Sequence, residues 1–233
     1  MKQKAKYRIL IVAATKLELN GISSFLTLKK NKIGSKKIEF EFLIAGIGMV
    51  STSLKLTRFL CLNKVDLILN IGICGSFKKN IKIGDVVNIA QDNFSEIGAQ
   101  DGLNFLNAFE IGLIKKDELP YKKGVLTGLK SKLIKNTVLN NFVKVNGITV
   151  NTVHGNTSSI KKIKQRLNPD VESMEGAAVF YVANSFKIPA LQLRAVSNYV
   201  VKRNKETWNI PLALENLNSV ISEFLTSGIK YGN

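Results

Sequence analysis

The run YRILIVAA near the start of the chain is apolar at every position but Arg8 and only eight residues long. A short, continuous apolar run reads as a strand buried on both faces, as in a parallel sheet covered by helices. Similar runs recur at VDLILNIG and PALQLRAVS, with helical spacing between them in ELNGISSFLTL and VSTSLKLTRFLCLN. Strands alternating with helices in this way predict an α/β fold.

The remaining segments extend the alternation. IEFEFLIA, GDVVNIA, GITVNTV and a stretch near GVLTG read as strands, and DVESM as a short one. Helices are expected near SKLIKNTVLNNF, in TSSIKKIKQRL behind small polar capping residues, in EGAAVFYVANSF and from Ile210 onward. ICGSFKKN and YVVKRNKETW read as loops after their strands. Residues 92–123 are irregular, punctuated by Gly98, Gly102, Gly112 and Pro120. No repeat or linker divides the chain, so residues 1–233 are expected to form one domain.

Composition narrows the function classes. A chain of 233 residues with 45% hydrophobic and 22% charged residues can bury one core and resembles ordinary soluble proteins. No apolar stretch reaches the roughly 20 residues of a membrane span, so no membrane partner is expected. The opening MKQKAKYRILIVAAT imitates a signal peptide, but its apolar run is too short for one. Cys61 and Cys74 are too far apart for a CxxC pair, and one His cannot complete a zinc site with them. The expectation is no metal, no cofactor and a reducing cytoplasmic compartment. The net charge of +17 raises nucleic-acid binding. The charge, however, is carried mostly by Lys, in scattered pairs such as Lys29-Lys30, Lys78-Lys79 and Lys161-Lys162. Arg is scarce and the aromatics do not interleave with the lysines, so a solvated surface is expected and no nucleic-acid partner.

In open α/β sheets, ligands gather at the carboxyl ends of the strands. AATKLEL, IGICGS, SMEG and SNYV hold that position, and two of them carry carboxylates, Glu18 and Glu175. Singly, each has an ordinary explanation: Glu18 as a solvated helix residue, Glu175 as an acid complementing a helix dipole, Met174 as core filler. Jointly they suggest a site. AGIGMVS and NIGICGS invite a reading as phosphate cradles of a dinucleotide-dependent oxidoreductase. AGIGMVS lacks the third glycine, and Asp66 falls at the start of a strand where the ribose-binding acid belongs at its end.

LNIGICGSFKKNIKIGDVVNIA and VESMEGAAVFYVANSFKIPALQLRAVSN resemble the purine nucleoside phosphorylase and hydrolase superfamily, in its methylthioadenosine/S-adenosylhomocysteine nucleosidase branch. VAATKLELNGI, DNFSEIGAQDGLNFLNAFEIGL and SNYVVKRNKETWNIPLALENLN are similar to the futalosine hydrolases of that branch, enzymes of menaquinone biosynthesis. The resemblance implies a three-layer α/β/α sandwich with a twisted mixed central sheet, a homodimer or larger homo-oligomer, and a small-molecule nucleoside substrate. The implied reaction is hydrolysis of an N-ribosidic bond that releases hypoxanthine. Glu18 matches the acid that polarises water, and Met174 with Glu175 the pair that meets the ribose. Asn198 stands where general nucleosidases carry the Asp that assists the leaving purine. Ile73 and Val153 fall among substrate-binding positions. His154 falls where the family sets an aromatic against the base, and equally reads as a loop histidine.

Chemistry agrees with these roles. A departing purine leaves an oxocarbenium-like ribosyl cation, which nearby carboxylates stabilise. Phosphate as nucleophile calls for Arg forks beside a glycine loop, and AGIGMVS and LNIGICGS contain no Arg, so water is expected instead. Asn198 is expected to donate to both N7 and O6 of a 6-oxopurine. The substrate tail calls for an apolar pocket with a basic end, for which Phe94, Phe105 and Phe109, or Arg203 and Trp208, are the candidates.

Overall fold

The computed structural model describes residues 6–27, 37–134, 139 and 141–227. In chain order these form β1 (Lys6–Ala13), α1 (Lys16–Thr27), β2 (Lys37–Ile44), α2 (Met49–Leu62), β3 (Leu67–Ser76) and β4 (Val86–Gln91). Then follow β5 (Gly98–Asp101), β6 (Asn104–Asn107), β7 (Lys144–Thr149), α3 (Thr157–Leu167), β8 (Val171–Ser173), α4 (Gly176–Ser185), β9 (Ala190–Tyr199) and α5 (Ile210–Ser227). Seven strands make one sheet in the order β2-β1-β3-β8-β7-β4-β9, and β9 returns to pair with β3. The β3–β8 and β4–β9 pairings are antiparallel and the others parallel. The sheet is therefore mixed, as the resemblance implied.

Alternation along β1 builds the layers. Ile9 and Ile11 point to one face, where they pack with Leu69, Leu193 and the α5 residues Leu217 and Phe224. Leu10 and Val12 point to the other and meet Leu56 and Leu60 of α2 and Val179 and Ala183 of α4. Both faces of the central strands are thus dry, which is why YRILIVA and LILNI carry no polar alternation. Burying each such side chain contributes about 1.5–3 kcal/mol.

Closure of the sheet on β3 has no counterpart in the sequence pattern. The first half of β3 has β1 as a neighbour, Leu67–Asn70 pairing with Ile9–Val12, whereas Gly75 and Ser76 pair with β8. One strand thus changes partner along its length, and glycines at 72 and 75 suit such coiling. In consequence β3 runs through ICGS to Ser76, where a loop was expected. β9 likewise continues through Asn198 to Tyr199, so Asn198 lies within a strand and not at its end.

Two further expectations are corrected. GVLTG forms no strand: Val125 and Leu126 make only isolated bridges, to Lys122 and Asp92. Gly128 approaches β9 so closely that a Cβ there would lie 2.0 Å from the Ala190 carbonyl oxygen, so the position admits only glycine. Within SKLIKNTVLNNF the described residues give only a 3₁₀ turn at Lys132–Ile134, and residues 135–138 and 140 lie outside them. The irregular segment contains a two-stranded hairpin, β5 with β6. Among the described residues no helix is long and apolar enough to cross a membrane.

Candidate active site

Glu18 lies in the first turn of α1 and is buried. Its Oε2 accepts from the Thr15 amide at 2.9 Å and from the Thr15 hydroxyl at 3.3 Å. Its Oε1 overhangs Gly72 of β3, where an added Cβ would come within 2.9 Å of it. The same Cβ would stand 3.4 Å from a guanidinium nitrogen of Arg194. The missing side chain at Gly72 thus lets an acid and a base approach over one backbone position.

Arg194 was not among the residues expected at the site. It is 1% exposed, paired with Gly72 across β9 and β3, and bonded to the Asn70 side chain and the Leu193 carbonyl. Asn70 in turn donates to the Val12 carbonyl at 3.0 Å. An Arg in an otherwise apolar strand run was the available signal, because a buried cation demands a charged partner.

Glu175 faces the same charges. Its Oε1 accepts from the Gly48 amide at 3.0 Å, at the N-terminus of α2. Glu175 precedes α4 but makes no side-chain cap there, so its charge is met by the start of a different helix. Burial holds its carboxyl above the ordinary range, the charge of Glu18 pushes the same way, and Gly48 and Arg194 pull it down. The Gly48 amide thereby serves a carboxylate of the protein itself. A dinucleotide pyrophosphate would need that helix terminus for its own charge.

Asn198 is aimed by a bulge. Cys74 pairs with Val196 and Gly75 with Asn198, which leaves Ser197 as the extra residue. The Ser197 hydroxyl lies 2.8 Å from the Asn198 amide oxygen, and the amide nitrogen donates to the Tyr199 carbonyl at 3.1 Å. One N–H of Asn198 is therefore engaged within the protein, and one remains for a ligand, not the two expected.

His154 is no plain loop histidine. Its backbone N–H donates to Glu172 Oε1 at 3.0 Å, and its Nδ1 lies 2.6 Å from Glu172 Oε2. Its ring also meets the edge of Phe77, centroids 6.3 Å apart. Glu172, on β8 and 4% exposed, was not singled out from DVESM. Val153 and Met174 pack into the small cluster of Phe77, Ile148 and Val200. Ile73 packs toward the α1 and α5 side of the sheet. Burial pushes the Cys74 thiol up to about 12; Arg194 pulls it down and Glu172 pushes it further up.

A second buried network underlies α4. Asp92 accepts from the Thr149 hydroxyl at 3.0 Å and from Gln192 at 3.3 Å; Thr149 accepts from the Ala177 amide, and Gln192 also donates to the Gly176 carbonyl. The first turn after Glu175 is therefore clamped. Burial raises the Asp92 carboxyl from its ordinary 3.8 to about 6, against the pull of Thr149, Gln192 and Arg194. A folded state that holds this proton more tightly than the unfolded chain gains stability from it below pH 3.8 and loses it as pH rises past about 6. The shift corresponds to about 3 kcal/mol at most. Asp92→Asn should therefore gain on the native protein as pH rises from about 4 to about 8, the amide reaching the unpartnered Gln192 Oε1 beside it. Urea unfolding of both proteins across that range measures the gap; a pH-independent gap defeats the reading.

The tail-binding candidates separate. Phe94 and Phe109 join an aromatic cluster with Tyr121 and Tyr181, and Phe105 lies under the Arg166 guanidinium at 4.0 Å. Arg203 stands 5.1 Å over Trp208, and its amide donates to the Gly155 carbonyl, next to His154.

Known proteins share this framework. A 5'-methylthioadenosine/S-adenosylhomocysteine nucleosidase of Buchnera aphidicola is 29% identical over 222 residues, 88% of this chain and 91% of its own. A futalosine hydrolase of Thermus thermophilus is 26% identical over 195 residues, 82% of this chain and 84% of its own. The crystal structure of a Colwellia psychrerythraea 5'-methylthioadenosine/S-adenosylhomocysteine nucleosidase, in complex with adenine, shares the fold with a TM-score of 0.75 at 18% identity, covering 95% of this chain and 96% of that one. The family model for the phosphorylase superfamily matches residues 8–226, from within β1 to the last turn of α5. On that match this chain belongs to the phosphorylase superfamily.

Proposed function

We propose that this protein hydrolyses the N-ribosidic bond of a purine nucleoside, and that the nucleoside is futalosine, an intermediate of menaquinone biosynthesis, with hypoxanthine released. The observation that carries the reading is a neutral amide, Asn198, along the same strand pair that brings Glu18 and Arg194 together over Gly72. Gly72 and Gly75 are three residues apart on β3, about 10 Å. Glu18 draws a proton from water through the oxygen not held by Thr15. Glu175 accepts from ribose hydroxyls and stabilises the developing cation. Asn198 donates its remaining N–H to N7. An amide cannot protonate the purine, which suits a 6-oxopurine whose carbonyl spreads the departing charge. The positive charge of Arg194 acts on Glu175, and its guanidinium is bonded to Asn70 and the Leu193 carbonyl, so it is not free to hold a phosphate dianion.

The Buchnera relative favours a second reading, methylthioadenosine/S-adenosylhomocysteine nucleosidase, at comparable identity. Incubation with futalosine, methylthioadenosine and inosine, with and without phosphate, separates them by chromatography of the released base. Hypoxanthine from futalosine without phosphate is expected. Adenine from methylthioadenosine with futalosine untouched supports the second reading instead, and a phosphate requirement excludes both.

Asn198→Asp should lower kcat/KM for the 6-oxopurine nucleoside, because the new carboxylate faces two acceptors, N7 and the Tyr199 carbonyl. The 6-amino counterpart should suffer less, because the introduced acid, when it holds a proton, can pass it to N7 as the base departs, which the amide cannot do. The expected shift in relative specificity is about 1–3 kcal/mol; an unmoved ratio makes Asn198 a turn residue only.

The homo-oligomer belongs to the same proposal. Ile47, Val50 and Leu54 are 65%, 80% and 67% exposed around the first turns of α2, an apolar row that a second subunit would cover. Light scattering should report a multiple of 25.7 kDa, and the monomer mass would remove this part of the proposal.

A further inference from the structure

By hydrogen bonding alone, Asn198 does not separate a 6-oxopurine from a 6-aminopurine. Its oxygen is held by Ser197 and one N–H by the Tyr199 carbonyl, and N7 accepts the remaining N–H in both base classes. Selection needs a group that meets the six-membered ring. The sheet register points to one. Gly75 pairs with Asn198 on one side and Glu172 on the other, which sets those two residues roughly 10 Å apart across a position without a side chain.

Both oxygens of Glu172 are committed to His154, one to its backbone N–H and the other to Nδ1. A carboxylate is an acceptor only, so it fixes the ring proton on Nδ1. Nε2 has no hydrogen-bond partner among the described residues, and the His154 side chain is 14% exposed. The ring is therefore oriented, its tautomer set, and one nitrogen is left over. A buried carboxylate devoted to both donors of one histidine is a costly way to hold a loop, and an effective way to present a lone pair.

We infer that His154 is a specificity-determining residue for the base and Glu172 its positioning residue. The Nε2 lone pair of the neutral ring accepts the N1–H of a 6-oxopurine. It opposes a 6-aminopurine, whose N1 is itself an acceptor. The inference rests on the hypoxanthine-nucleoside reading above and adds the residue pair that enforces it.

The test compares kcat/KM for futalosine and its 6-amino counterpart in the wild type, His154→Ala and Glu172→Gln, with thermal melts to confirm folding. His154→Ala should lower the 6-oxo over 6-amino ratio by at least about tenfold. Because it strands a buried carboxylate and can unfold the protein, the near-isosteric Glu172→Gln carries the decision. The introduced side-chain amide satisfies both groups of His154 only with its oxygen on the backbone N–H and its nitrogen donating to Nδ1. That arrangement moves the ring proton to Nε2, and the preference should shift toward the 6-amino nucleoside, beyond mere loss of rate. A general loss with the ratio unchanged in the folded Glu172→Gln protein overturns this inference alone. A wild type that prefers the 6-amino nucleoside overturns the function proposed above and this inference with it.

Discussion

Glu18→Gln should leave the protein folded and reduce turnover at least roughly a hundredfold, the usual scale for loss of a general base. The substitution is isosteric, and the glutamine oxygen can still accept from the Thr15 amide and hydroxyl that now hold Oε2. The other terminal atom is then an NH₂ group over Gly72, a donor where the reaction requires an acceptor. KM should change little because the ribose and base contacts are proposed to lie elsewhere. Turnover near that of the native protein would mean that another group activates the water.

The second large effect is expected from Glu175→Ala, a fall in turnover of about a hundredfold or more from loss of charge aimed at the ribosyl cation. The helix it precedes should survive, because Glu175 does not cap α4 and the Asp92, Thr149 and Gln192 network holds that turn. The substitution also leaves the Gly48 amide without its acceptor, so a modest loss of stability accompanies the loss of rate. The native enzyme carries a related signature in its pH profile. Burial raises the Glu175 carboxyl, and only the ionised form accepts from ribose hydroxyls. Activity should therefore fall on the acid side earlier than an ordinary glutamate would dictate, and recover as pH rises through the raised value. Unchanged kinetics in Glu175→Ala would return the residue to a structural role at the start of α2.

The carboxylates were legible in the sequence because each interrupts a pattern that physics makes strict. Glu18 follows the end of an apolar strand run, and Glu175 opens an apolar helix, so both stood out at strand ends where α/β sheets expose function. The strands of the central sheet were legible for the same reason, since a strand dry on both faces admits no polar alternation. Asn198 was found as an amide at the end of PALQLRAVS, although its strand continues to Tyr199.

What only the tertiary structure decided concerns partners. Arg194 lies within an apolar strand and is visible as a letter, but its proximity to Glu18 depends on the pairing of β9 with β3 at Gly72. Glu172 sits in a short strand between Val171 and Ser173 with no local signal of its role, and its commitment to His154 requires a loop some eighteen residues earlier to fold back on β8. The bulge at Ser197 that spends one N–H of Asn198 on the Tyr199 carbonyl is a register shift between strands more than a hundred residues apart. Local propensity and period report which face a residue takes along its own strand. Which charge stands opposite depends on long-range register, and that is settled only when the closed sheet brings β3, β8 and β9 side by side.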